Sequence, residues 1–306
     1  MSLKRDFLTI PDFSVEEIQA IFKETEELKK NKFRVAFKNK AVGLIFQKPS
    51  LRTRVSFQVG VWQLGGQCMS LSPAEVNIGV RESVKDAALT LSRYLDLLVA
   101  RVFKHKELQE LAQHCLVPVI NGLSDLYHPC QALADIFTVK EKRGSLKGLT
   151  LSFIGDGNNV CHSLLQITSM LGMNMKVAAP KGFGPSKEIL QASQAQAADT
   201  GATIVVTQDP REAAKGADVL YTDVWASMGQ EEEAKNRAKI FKKYQINKEM
   251  VACANKNVLV MHCLPAHRGQ EITDDVIDGP GSVVFDEAEN RLHVQKAIML
   301  KLIENI

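Results

Sequence analysis

The 306-residue sequence is most informative first in what it lacks. No run of roughly eighteen apolar residues occurs anywhere, so a membrane-spanning helix is not expected. Residues 1–11 carry no apolar stretch of signal-peptide length, which points to a cytosolic protein. Six cysteines are scattered with no C-x-x-C pair, so neither a zinc site nor a disulfide framework follows. The net charge is only +3, which excludes a nucleic-acid or membrane partner held by bulk electrostatics. No G-x-x-x-x-G-K-[ST] loop is present, so the usual nucleotide phosphate cradle is missing as well.

What remains is 45% hydrophobic and 24% charged, an ordinary globular balance, in a chain long enough for two domains of roughly 150 residues each. Short apolar runs alternate with longer amphipathic stretches, the pattern of βα units and parallel sheets. Strands are expected at 41–46, 95–102, 117–120, 149–154, 175–179, 203–207, 219–222 and 258–262. Helices are expected at 54–64, 83–94, 106–115, 130–142, 160–171, 186–200 and 287–303. In the first of these helices Val55, Val59 and Trp62 recur at helical spacing. The fold class is therefore α/β, with two domains that are each a mainly parallel sheet flanked by helices, joined by interdomain helices. The first spans 1–145 and is completed by the C-terminal helix 287–306; the second spans 146–286.

The sharpest chemical signal is Pro49-Ser50-Leu51-Arg52-Thr53-Arg54, between a strand and a helix. A helix start leaves N–H groups unpaired and carries partial positive charge, so it attracts phosphate. Ser50 and Thr53 add hydroxyl donors, and the Arg52 guanidinium is a planar fork suited to phosphate oxygens. The plainer alternative is that Ser50 only caps the helix while the arginines sit in solvent. His128-Pro129-Cys130-Gln131 lies between a strand and the 130–142 helix, and Arg101 ends the 95–102 strand. In open α/β sheets the crevice beyond the strand ends is where ligands bind.

Gly155-Asp156-Gly157-Asn158-Asn159-Val160 follows a strand and opens a helix, which invites a nicotinamide-binding reading. The fingerprint is incomplete: Val160 replaces its third glycine, and Ala179-Pro180-Lys181 stands where an acid belongs. Asp223 follows another strand and offers a carboxylate to a cationic amine; Ser227-Met228-Gly229 comes just after it. His262-Cys263-Leu264-Pro265 ends the 258–262 strand, and Cys263 reads either as a site thiol or as a small buried hydrophobe.

Together, the Ser-x-Arg-Thr-Arg loop, Arg101, the His-Pro-Cys-Gln cluster, the Ser-Met-Gly loop and His-Cys-Leu-Pro resemble the signature set of the ornithine carbamoyltransferases. The likeness runs nearly end to end, through Glu287-Ala288-Glu289-Asn290-Arg291. It implies transfer of a carbamoyl group from carbamoyl phosphate to the side-chain amine of ornithine, with no metal and no organic cofactor. By the same resemblance Ser50, Leu51 through its backbone, Arg52, Thr53, Asn77, Arg101, His128, Gln131, Cys263, Leu264 and Arg291 hold carbamoyl phosphate. Asn159, Asp223, Ser227 and Met228 hold ornithine. Arg52, Arg101, His128 and Cys263 are the implied catalytic groups. Homotrimers or multiples of them are implied too, with a loop near residues 77–85 reaching a neighbouring subunit. Leu51 departs from the family's usual threonine, and Asn77 stands where many members have glutamine. A sibling enzyme acting on putrescine or an N-acylated ornithine is the nearest alternative.

Overall fold

The computed structural model describes residues 4–72, 82–226 and 234–303. The chain falls into two compact units, Met1–Leu133 with Glu289–Ile306, and Ala134–Ala288. Each carries a parallel sheet flanked by helices, the expected α/β class.

The first unit has strands β1 (Ala41–Phe46), β2 (Gln67–Leu71), β3 (Leu97–Arg101) and β4 (Val119–Leu123), ordered β2-β1-β3-β4 and all parallel. Helices α1 (Val15–Lys30), α2 (Leu51–Gln63), α3 (Val84–Leu91) and α4 (His105–His114) accompany them. α5 (Pro129–Arg143) begins here and ends in the second unit. Strand β3 is buried along its whole length, which is why it reads as an unbroken apolar run rather than an alternating one. β1 lies between β2 and β3, so the chain leaves β1 toward one edge and returns through β3 toward the other. That reversal opens a crevice beyond the ends of β1 and β3.

Among the described elements of this unit, α1 and β2 were not expected. α1 starts at a capping box in which Ser14 and Glu17 satisfy each other's backbone N–H groups. β2 is an edge strand without a continuous apolar run, and it gains its place by pairing with β1. α2 corrects a further expectation. It begins at Leu51, three residues earlier than expected, because Ser50 caps it and accepts from the Thr53 N–H at 3.4 Å. Its buried side is Thr53, Phe57, Gly60 and Val61. A side chain at Gly60 would meet Lys296 Cγ at 3.2 Å, so the C-terminal helix packs closely there. Val55 and Trp62, by contrast, face outward, Trp62 being 63% exposed.

The second unit orders β5 (Thr150–Ile154), β6 (Asn174–Ala178), β7 (Ile204–Thr207), β8 (Val219–Thr222) and β9 (Leu259–His262) as β7-β6-β5-β8-β9, again all parallel. Its helices are α6 (Asn159–Met170), α7 (Lys187–Thr200), α8 (Pro210–Ala214), α9 (Ala234–Phe241), α10 (Lys248–Cys253) and α11 (Asp274–Ile277). α12 (Val284–Ile303) begins here and ends in the first unit. The chain reverses direction between β5 and β8, placing a second crevice beyond those strand ends. Ile154, Leu220, Trp225, Phe241, Tyr244 and Ile272 belong to one buried cluster that fixes those strands against the flanking elements. No helix among the described residues is long and apolar enough to cross a membrane.

Candidate active site

In the first unit the expected residues gather at the ends of neighbouring strands. Ser50–Thr53 follow β1 and open α2; Arg101 is the last residue of β3, in register with Phe46. His128 follows β4, and its carbonyl accepts from the N–H groups of Gln131 and Ala132, so it stands at the start of α5. Arg291, on α12, donates from Nη2 to the Thr53 hydroxyl at 2.9 Å. Arg101, His128, Gln131 and Arg291 are all nearly buried, whereas Leu51 is 70% exposed.

The electrostatics follow from this crowding. Burial first, then the charges of Arg291 and Arg101, hold the His128 imidazole well below its ordinary range. His128 is therefore a neutral ring between cations, able to donate an N–H without carrying charge. The Cys130 thiol is pushed up to about 12, chiefly by burial, and reaches the Asn121 carbonyl at 3.5 Å. It behaves as a packed hydrophobe.

In the second unit Asp223 follows β8 and is held from three sides. Its Oδ2 accepts from Asn158 Nδ2 at 2.7 Å, and its Oδ1 accepts from the Val224 N–H at 2.8 Å and from the Cys263 thiol at 3.0 Å. Burial, followed by the charge of Asp223, pushes the Cys263 thiol well up. Cys263 is thus a protonated donor to Asp223. Leu264 adopts φ +56°, a left-handed conformation uncommon for a branched side chain, directly after Cys263.

Ligand-capable atoms of Asp223, His262 and Cys263 lie within 4.8 Å of one another. Both ring nitrogens of His262 are engaged, however. Nδ1 accepts from the Leu264 N–H at 2.9 Å, and Nε2 lies 3.1 Å from Glu271. A cation would have to displace these bonds, so the group is built as a hydrogen-bonded network.

The glycine loop after β5 also has a local explanation. A side chain at Gly157 would meet Pro185 N at 2.3 Å and Gly184 C at 2.4 Å. The glycine makes room for the protein's own backbone, in the place where a dinucleotide fingerprint would admit a pyrophosphate. Asn158 caps α6, accepting from the N–H groups of Val160 and Cys161. Asn159, the residue expected to bind ligand, is the first residue of α6, and its carbonyl accepts from Ser163.

Asn77, Ser227 and Met228 lie outside the described residues. Sequence reasoning passed over Asn158, whose contact with Asp223 depends on two separate strand ends, although an asparagine before a helix was a legible cap. It also passed over Arg237 of α9, which donates to Asp156 at 2.6 Å and to the Trp225 carbonyl at 2.9 Å, bracing the loops after β5 and β8.

Two family profiles together span most of the chain. The profile described as the carbamoyl-P binding domain of aspartate/ornithine carbamoyltransferase matches residues 5–141, and its Asp/Orn binding domain matches residues 147–302. The ornithine carbamoyltransferase of Thermococcus kodakarensis is 51% identical, covering 96% of this chain and 95% of its own. A relative from Pyrococcus furiosus described as "ornithine carbamoyltransferase, anabolic" is 49% identical, covering 96% and 95%. The solved ornithine carbamoyltransferase from Pyrococcus furiosus superposes with a TM-score of 0.95 at 48% identity, over 98% of this chain and 97% of that one. The chain belongs to the aspartate/ornithine carbamoyltransferase family.

Proposed function

We propose that this enzyme transfers the carbamoyl group of carbamoyl phosphate to the side-chain amine of L-ornithine, releasing L-citrulline and phosphate. The observation that carries the reading is the neutral His128 set with Arg101 and Arg291 beside the start of α2. Phosphate is drawn by Arg52, Arg101, the Ser50 and Thr53 hydroxyls and the open N–H groups of α2, with Leu51 contributing its backbone. These groups stabilise the charge that grows on the leaving phosphate. Gln131 holds the carbamoyl group, and His128 donates to its oxygen as the tetrahedral oxyanion forms.

Ornithine must attack as a free amine, although an alkyl amine ordinarily titrates at about 10.4. Asp223 is the acceptor suited to orient that amine and receive its proton, while the Cys263 thiol holds the carboxylate in place. Asn159, Leu264, Ser227 and Met228 complete the proposed contacts, and Asn77 is proposed to serve a neighbouring subunit. The first unit is the proposed carbamoyl phosphate domain and the second the ornithine domain.

Self-association is supported by the outward face of α2, where Leu51, Val55 and Trp62 are exposed and Phe33 meets Trp62 edge-on at 5.2 Å. An apolar strip of this kind is suited to a second copy of the chain, and a homotrimer or multiple of trimers is proposed. Six free cysteines fit a reducing cytosol. Incubation with carbamoyl phosphate and, in turn, ornithine, putrescine, N-acetylornithine and aspartate tests the assignment. Ornithine should be carbamoylated fastest; faster turnover of another amine would overturn it.

A further inference from the structure

A second network lies behind Asp223 and Cys263, and the reaction as proposed does not use it. Asp135 of α5, Glu287 of α12 and Tyr221 of β8 are all fully buried. The Tyr221 hydroxyl lies 3.0 Å from Asp135 Oδ2 and 3.2 Å from Glu287 Oε1, so one phenol joins the two carboxyl groups. The other oxygen of Glu287, Oε2, accepts from the His262 backbone N–H at 3.1 Å. Tyr221 stands two residues before Asp223, and His262 one residue before Cys263. Glu287 therefore grips the ends of two paired strands, whose next residues carry the Asp223–Cys263 contact.

We infer that Glu287 and Asp135, bridged by the Tyr221 hydroxyl and sharing one proton, are a positioning pair that holds β8 and β9 so that Asp223 and Cys263 keep their working separation. The inference rests on the carbamoyl transfer proposed above. Two carboxylates this close cannot both ionise without water around them. Burial, then the charge of Asp135, pushes the Glu287 carboxyl well up, and burial pushes the Tyr221 phenol well up, so the phenol stays a donor. Among the described groups that face the pair are Tyr221 on β8 and the His262 N–H, and the charges of Glu287 and Asp135 reach Cys263 beyond the strand end. The His262 ring is turned instead to Leu264 and Glu271. With one proton on the pair, that proton, the phenol O–H and the His262 N–H are three donors to the carboxyl oxygens. Removing the shared proton leaves two buried like charges, which separate and release a strand end.

Infrared difference spectroscopy and steady-state kinetics on the full-length enzyme test this together. Wild type at neutral pH should show the C=O band of a protonated carboxyl. Glu287→Gln and Asp135→Asn should each lose it, because the remaining acid then ionises. Glu287→Ala removes the acceptor for His262 and should lower kcat about tenfold or more, with the KM for carbamoyl phosphate unchanged. Glu287→Gln keeps an acceptor oxygen and should recover most of that loss. Tyr221→Phe, a milder change should the alanine variant unfold, should shift the band and lower kcat several-fold. A band that survives in both isosteres, or full kcat in Glu287→Ala and Tyr221→Phe, would overturn the pair while wild type still carbamoylates ornithine. Wild type that transfers nothing to ornithine would overturn the reaction assignment, and the positioning role with it.

Discussion

Cys263 gives its thiol hydrogen to Asp223, with 3.0 Å between Sγ and Oδ1. The pairing makes the cysteine a poor nucleophile and the aspartate the anionic member. After burial, the Asp223 charge is the next cause that holds the thiol up, and accepting its hydrogen adds to the effect. Removing the charge must lower the thiol pKa. Asp223→Asn should therefore be alkylated by iodoacetamide at Cys263 faster than wild type at mildly alkaline pH, while losing most of its turnover. Peptide mapping of the labelled site measures this; equal or slower labelling would contradict the pairing.

His128 should remain neutral well below the ordinary histidine range, since burial and two guanidinium groups all disfavour its charged form. Its ring resonances, followed by NMR against pH, should titrate late on the acid side. Arg291→Met removes the larger of the two charge effects and should move the titration upward. Arg101→Met should do the same to a smaller extent.

Arg52→Ala should nearly abolish turnover while the fold persists. The α2 start is kept by Ser50, which caps the Thr53 N–H without help from Arg52. Losing a charge-assisted contact at the leaving phosphate costs roughly 3 kcal/mol or more, over about a hundredfold in rate. Circular dichroism together with a phosphate-release assay would separate the two effects; a folded variant of near-normal activity would refute the anion-loop reading.

Acid stability has a local source in the first unit. Glu17 of α1 accepts from Arg5 at 2.7 Å and faces Lys301 at 3.3 Å, and its pKa is lowered to about 2, chiefly by the Arg5 hydrogen bond. The folded value lies below the ordinary carboxylate range, so the unfolded chain binds the proton more readily. The contribution is full above about 4.5 and is lost as pH falls through about 2. Glu17→Gln should unfold at a lower urea concentration than wild type at neutral pH, and the gap should close across that window. A constant gap would show that the ion pair is not its cause.

The sequence itself determined the strand rhythm, the α/β class, the family and most of the residues of both clusters. Its signals were local: unbroken apolar runs for buried parallel strands, and short polar groups placed where strands end. Val55, Val59 and Trp62 marked α2 as a helix, but periodicity cannot say which side of a helix meets a neighbour. Only the close packing of Lys296 against Gly60 turned Phe57 inward and left Trp62 outside. The edge strand β2 was invisible for the same reason, because its stability comes from pairing with β1 rather than from its own composition. Tertiary structure alone decided the protonation pattern as well. His128 is neutral because it is buried and because Arg291 and Arg101 arrive from distant parts of the chain, and Cys263 stays a thiol because it is buried beside Asp223 and Glu287. Charge state depends on burial and on the nearest charges in space, and neither is written in residue order.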